Sequence, residues 1–272
     1  DAKVSHKVKS KNRKATVTYL IDRGLPKLLS SVKYLIEDPS LDSLIIKHIS
    51  ESSLQHHVLL DRNLLDQERT RLTDLLRDQG YWDFNKDDIR FIADTLQGEQ
   101  EVDLTVLVSR LHEKYLINKV HFVTDFNILA NRTDSAASAV REISEGYDIT
   151  YEGDNCYLKD HILIENCHII PGNIYSETSV KRTYSSFSRL HLLKFTNIRL
   201  EPAGDYKLDA YVYTSPMNPK SVQFELDGTN TSGDLGFAGA LSYQHRNLFR
   251  GSETYSLSLK GGYESLSGNV AG

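Results

Sequence analysis

Asn63-Leu64-Leu65-Asp66-Gln67-Glu68-Arg69-Thr70-Arg71-Leu72-Thr73-Asp74-Leu75-Leu76-Arg77-Asp78-Gln79-Gly80-Tyr81 is the stretch on which the fold turns. Leu65, Leu72, Leu75 and Leu76 recur at helical spacing on one face, with charged residues opposite. Asn63 suits the N-cap, and Gly80 suits the left-handed stop beyond the last turn. Upstream, Ser40 is placed to cap an earlier helix whose Leu41, Leu44, Ile45, His48 and Ile49 share a face. Before it, Val32-Lys33-Tyr34 reads as a strand. Downstream, Asp88-Ile89-Arg90-Phe91-Ile92-Ala93, a turn at Gln97-Gly98 and Val102 to Val108 read as a hairpin. The unit is β-α-α-β-β.

That order recurs. Val17-Thr18-Tyr19-Leu20-Ile21-Asp22-Arg23 lines up with Leu104-Thr105-Val106-Leu107-Val108-Ser109-Arg110, and Val32-Lys33-Tyr34 with Val120-His121-Phe122. A fainter third copy runs through Leu208-Asp209-Ala210-Tyr211-Val212. Self-similarity at this spacing marks tandem structural repeats. In the later unit Lys119 to Thr124 is the first strand, and Ser176 caps a helix with Val180, Tyr184 and Phe187 on one face. Phe195 to Glu201 and Leu208 to Tyr213 close it. This unit is longer, and its surplus falls near 126–160, rich in Asn, Asp, Ser and Gly. The surplus reads as an excursion inserted into the repeat.

From Ser221 onward the helical period gives way to a period of two. Val222, Phe224 and Leu226, then Phe237, Leu241 and Tyr243, then Tyr255, Leu257, Leu259 and Tyr263 alternate with small or polar residues. A half-buried sheet alternates in this way. So do the strands of a transmembrane barrel, which run about ten residues with aromatic ends. Periodicity alone leaves both open.

Composition narrows the function classes. The 272 residues carry 32 Lys+Arg against 37 Asp+Glu, a formal net charge of −5, with a pI near 6.1. Nucleic-acid binders usually carry a basic face and a high pI, so that partner is not expected. A mean hydropathy of −0.41 fits a water-soluble domain, and no apolar run is long enough for a membrane helix. Asp1 opens a charged stretch without a signal-peptide core, and the chain reads as a segment of a longer one.

Leu64 to Tyr81, followed by Phe84 and Asp103-Leu104, resembles a polypeptide-transport-associated (POTRA) repeat. Pro171 to Ser176 and Thr183 to Phe187 resemble the last such repeat before a barrel. Phe224 to Asn230 and Tyr243 to Gly251 resemble the opening barrel strands of BamA/TamA-type outer-membrane assembly factors, in the Bacteroidetes TamA-like branch. The resemblance implies an α+β chain: the end of one repeat over 1–24, a repeat over 25–111, a last repeat over 112–216 and the first barrel strands over 217–272. It implies a bacterial outer-membrane protein whose segment here is mainly periplasmic, and whose partners are unfolded outer-membrane proteins, accessory envelope proteins and the membrane itself. By resemblance the client edge is the second strand of the hairpin-bearing sheet, Ile89, Arg90, Phe91 and Ile92 in one repeat and Ile198, Arg199 and Leu200 in the next. Arg90 and Arg199 would keep vacant edges soluble, or are ordinary solvated charges. Phe237, Leu241, Tyr243, Tyr255, Leu257, Leu259 and Tyr263 would face lipid. A two-partner-secretion exporter and a scaffold for envelope proteins are the alternatives.

Catalytic signatures are missing. Asp227 to Gly233 lacks the lysine of a phosphate loop, and there is neither a Gly-x-Ser-x-Gly elbow nor a His-Glu-x-x-His pair. No enzyme activity and no cofactor are expected. His56-His57 reads as a surface pair with diverging rings. Cys156 and Cys167 would form a disulfide closing the excursion or stay unpaired and buried. A metal site of Cys156, His161, Cys167 and His168 matches no familiar zinc spacing, and none is expected.

Overall fold

The computed structural model describes residues 3–11, 14–22, 26–95, 100–108, 112–124, 139–151, 157–231 and 234–264. The chain divides into two compact units, residues 1–113 and 114–272.

In the first unit, β1 (Lys3–Lys11) and β2 (Lys14–Asp22) form a hairpin. Val4 lies opposite Ile21, His6 opposite Tyr19 and Val8 opposite Val17, so one exposed face of the hairpin is largely apolar. The β-α-α-β-β order then follows: β3 (Leu28–Ile36), α1 (Pro39–Lys47), α2 (Arg62–Asp78), β4 (Ile89–Thr95) and β5 (Glu101–Val108). The sheet runs β3-β5-β4, with β3 parallel and β4 antiparallel to β5. Leu41 and Ile45 of α1 and Leu72 and Leu76 of α2 pack with Leu29, Phe84, Leu104 and Val106, all removed from solvent. Both helices begin two residues earlier than the capping signals predict. Asp38 accepts from the Ser40 and Leu41 amides, and Asp61 from Leu64. Gly80 does end α2, with φ at +105°. The turn expected at Gln97-Gly98 lies outside the described residues.

His56 and His57 are exposed, but their rings stand 3.8 Å apart rather than diverging. His57 adopts φ +62°, outside both helix and strand geometry, which turns its ring back.

The second unit has β6 (Leu116–Thr124), α3 (Asp160–Glu165), α4 (Glu177–Arg189), β9 (Leu193–Pro202) and β10 (Lys207–Pro216) in the same order. The described part of the insertion is built into the sheet. It contributes β7 (Ala139–Ser144) and β8 (Tyr147–Tyr151), and the order becomes β7-β8-β6-β10-β9. Ile149 is fully buried opposite Phe122, and Val120, Leu163, Phe187 and Val212 of the same unit are buried too. Ser176 caps α4 as its position predicts, accepting from the Ser179 amide at 3.2 Å. Tyr184, expected inward, is half exposed, and Thr183 takes the buried place. The Thr183 hydroxyl donates to the Ser179 carbonyl and accepts from the His168 amide, both at 2.8 Å.

After β10 come β11 (Lys220–Thr231), β12 (Asp234–Arg246) and β13 (Thr254–Glu264), an antiparallel meander. The described residues show an open sheet of these three strands, not a closed barrel. No described helix is long and apolar enough to cross a membrane, which leaves strands unaddressed.

Candidate strand-binding edges

Strand β4 ends its sheet, with no neighbour on its outer side among the described residues. Register places Ile89, Phe91, Ala93 and Thr95 opposite Val108, Val106, Leu104 and Val102, whose buried side chains face the helices. Arg90, Ile92 and Asp94 therefore point to the helix-free face. Ile89 is buried, whereas Ile92 is 54 % exposed. Phe91 lies under Arg69 of α2, with the guanidinium 5.1 Å from the ring centroid. A strand added to β4 would meet Phe91 under the Arg69 guanidinium on one side and Arg90, Ile92 and Asp94 on the other.

Strand β9 ends the second sheet in the same sense. Thr196, Ile198 and Leu200 lie opposite Thr214, Val212 and Ala210 on the helix side. Asn197, Arg199 and Glu201 lie opposite Tyr213, Tyr211 and Asp209 on the other side. Arg199 pairs with Glu201 at 3.6 Å across exposed surface, an interaction of modest strength. The two predicted edges are thus alike: each has an apolar half against helices and an arginine on the open face.

The helix-free face of the second sheet carries a row the sequence reading did not single out. Asp148 (β8), His121 (β6), Tyr211 (β10) and Arg199 (β9) lie in register across four strands. His121 stacks on Tyr211 with centroids 4.7 Å apart. Its Nδ1 is 3.4 Å from Asp148 and its Nε2 3.8 Å from Asp209, which accepts from Asn118 at 2.7 Å. The row was hidden because two of its members come from an insertion and a strand far apart in sequence.

At its opposite margin the second sheet is closed. The β6 edge expected of a three-stranded repeat is covered by β8, whose Tyr147 hydroxyl donates to the Ile169 carbonyl at 3.2 Å. The new margin, β7, is short, shifts register between Glu142 and Ser144, and carries Arg141 and Glu142. Irregular, charged rims of this kind resist strand addition.

In the meander, Val222, Tyr243 and Leu257 share one row, Phe224, Leu241 and Leu259 the next, and Phe237 and Tyr263 another. Leu241, Leu257, Leu259, Phe237, Tyr255 and Tyr263 are all exposed, with Tyr243 less so. Gln223, Ser242 and Ser258 form a row on the opposite face. The alternation read from sequence becomes one continuous apolar face in space.

Cys167 is a free, buried thiol that donates to the Ile169 carbonyl, and burial pushes it up to about 11. Cys156 lies outside the described residues. Among the described residues no cluster of His, Cys, Asp or Glu is arranged to hold a metal ion.

No family model and no curated protein matches the chain. Among solved structures it is similar to BamA from Haemophilus ducreyi lacking POTRA domains 1–3, with a TM-score of 0.58 and 13 % identity over 87 % of this chain. The chain spans 37 % of that structure's length. Looser likenesses are POTRA domains 3–5 of Haemophilus influenzae BamA (TM-score 0.46, 14 % identity, 79 % of this chain and 72 % of that one). Another is CdiB from Acinetobacter baumannii (TM-score 0.41, 9 % identity, 89 % and 39 %). The fold is that of POTRA repeats followed by antiparallel strands.

Proposed function

We propose that the chain is the repeat region and barrel entry of an outer-membrane protein assembly or translocation factor, and that it acts by binding extended polypeptide rather than by catalysis. One observation carries this reading: in both repeats the second strand, β4 or β9, ends its sheet with apolar side chains, Phe91 or Ile198 and Leu200, on its helix side. Backbone groups on an open edge pair with any extended chain, so affinity does not depend on sequence. Alternation of apolar and polar residues in the added strand would match the two faces of each edge. Barrel strands have that alternation. The resemblance of Phe224 to Asn230 and Tyr243 to Gly251 to BamA/TamA-type barrel strands supports this role, with the TamA-like branch as the finer reading.

The apolar face of the meander supports membrane entry. A face holding Phe224, Leu241, Leu257 and Leu259 in adjacent rows is unfavourable in water and favourable against lipid.

A photo-crosslinking residue at Phe91 or Arg199 tests the binding role. Both positions are expected to trap unfolded outer-membrane barrel protein, whereas Thr105, on the central strand β5, should not. Equal trapping at all three, or none at Phe91 and Arg199, overturns the reading.

A further inference from the structure

The insertion does more than widen the sheet. Its described parts touch a second region, the turn between β12 and β13. The Asn247 side chain donates to the Tyr157 carbonyl at 2.8 Å, and the Lys159 amide donates to the Arg250 carbonyl at 2.9 Å. The Tyr157 hydroxyl reaches the Met217 carbonyl at 3.3 Å, at the entry to the meander. Next to Lys159, Asp160 accepts both ends of the Arg141 guanidinium, at 2.8 and 2.6 Å. Arg141 stands on β7, which pairs with β8, which pairs with β6. A continuous path of described contacts therefore runs from the sheet of the second repeat to the root of the meander.

Both ends of that path are firmly seated. Tyr147 and Ile149 of β8 and Leu158 and Leu163 around α3 are buried. At the other end, Asn247 is only 7 % exposed. The turn itself holds three non-glycine residues in left-handed conformation: Asn247 at φ +68°, Arg250 at +63° and Ser252 at +69°. Such residues persist only where surrounding contacts impose them. Part of the imposition is internal. Glu253 accepts from the Gly251 amide at 3.0 Å, and the Asn247 side-chain oxygen accepts from the Ser252 amide at 3.2 Å. The rest comes from Tyr157 and Lys159.

We infer that the described part of the insertion is a strap, binding the β12–β13 turn to the sheet of the second repeat through Arg141, Asp160, Tyr157, Lys159 and Asn247. The partner surface it serves is the turn of the same chain, and its chemistry is a paired set of backbone and amide hydrogen bonds backed by one forked ion pair. The strap makes the repeat and the start of the meander one mechanical piece, so that the sheet of the second repeat is held at a fixed place relative to the first strands. This inference stands apart from the binding reading, because it concerns only contacts within the chain.

Amide hydrogen exchange on the chain tests it with two variants that keep local geometry. Asn247→Asp retains the left-handed preference and the acceptor for Ser252, but loses the donor to Tyr157. Arg141→Lys retains charge but loses the fork. A strap requires each change to be felt at the opposite end. Arg141→Lys should speed exchange of the Asn247 and Ser252 amides, and Asn247→Asp that of the Ile162 amide, by about tenfold, the size of one lost hydrogen bond. Amides within the β12–β13 pairing, such as Leu241 and Leu259, should keep their rates. The double variant should gain less than the product of the two factors, since independent sites multiply and coupled ones do not. Effects confined to the substituted end, or a full product, would overturn the inference.

Discussion

Arg71 grips Glu68 through two parallel hydrogen bonds, Nε to Oε2 at 2.9 Å and Nη2 to Oε1 at 2.6 Å, with the Glu68 side chain wholly removed from solvent. The same Oε1 accepts from the Tyr34 hydroxyl at 2.9 Å, and Tyr34 also meets Ser52 at 3.1 Å. Arg71 donates in addition to the His48 carbonyl. Four segments of the first repeat, β3, the end of α1, the loop after it and α2, converge on one carboxylate. Burial by itself would raise the Glu68 carboxyl, but the hydrogen bonds and charge of Arg71 outweigh it and hold the group below the usual carboxylate range.

A depressed native value means stability that is present above the unfolded carboxylate's range and is lost as pH falls through the native one. The first repeat should therefore weaken on acidification below about pH 4.3, the unperturbed glutamate value. Arg71→Ala should abolish that acid loss, because burial then raises the Glu68 carboxyl and protonation relieves it, and should cost roughly 3 kcal/mol at neutral pH, because it strands a buried charge. The chain has one tryptophan, Trp82, just beyond α2 in the same repeat. Urea unfolding followed by its fluorescence at several pH values checks both statements. A loss of stability on acidification as large in Arg71→Ala as in the unmodified protein would show that the pair is not what depresses Glu68.

Capping provides a sharper local test. Asp61→Ala should destabilise the first repeat by about 1 kcal/mol, the usual loss on removing an N-cap acceptor. Asn63→Ala should cost far less, because Asn63 lies inside the first turn of α2 and is not its cap. The same fluorescence midpoint separates them, and equal losses would contradict the observed cap.

The order of elements was legible because the apolar period changes from two to 3.6 and back at turn residues, as at Gly80. The cap of α4 was legible at Ser176, those of α1 and α2 only to within two residues. Ser40, Asn63 and the two aspartates are all good cap residues, and backbone conformation decides among them. Glu68 was illegible: within a charged helix it looks like one more solvent-facing acid, and its partner Tyr34 sits on a strand before the other helix. Strands β7 and β8 were missed because they are short and gain their order by pairing with β6. The edge strands came from the family resemblance, and the strand orders put β4 and β9 at sheet ends because the last strand of each unit pairs on both sides. That the β6 margin would be closed could not be read without the insertion's placement.

Cys167 carries a prediction about reactivity. A thiol pushed up to about 11 by burial holds little thiolate at pH 8. In a Cys156→Ser variant, a disulfide-exchange reagent should label no thiol in the folded protein at pH 8 and one after denaturation. Unmodified protein, denatured without reductant, should show two thiols, because Cys167 is free; none would show it joined to Cys156. Rapid labelling of the folded variant would contradict the burial of Cys167.

The meander offers a pair of neighbours that decide what its apolar face meets. Leu241 and Ser242 are consecutive on β12, so their side chains leave opposite faces of the sheet. Leu241 sits in the row with Phe224 and Leu259, and Ser242 in the row with Gln223 and Ser258, where it is hydrogen bonded to Ser258 at 3.0 Å. A lysine against the middle of a bilayer costs about 2–4 kcal/mol in a barrel, whereas the same residue on the polar side is tolerated. Leu241→Lys should therefore sharply reduce the fraction of protein that becomes membrane-inserted in phospholipid vesicles, and Ser242→Lys should leave it near the starting level. The comparison controls for charge and for strand propensity, because both variants add the same residue to the same strand. Equal loss in both would show that the strand fails for reasons unrelated to lipid. Loss only in Ser242→Lys would put the polar row, not the apolar one, against the bilayer.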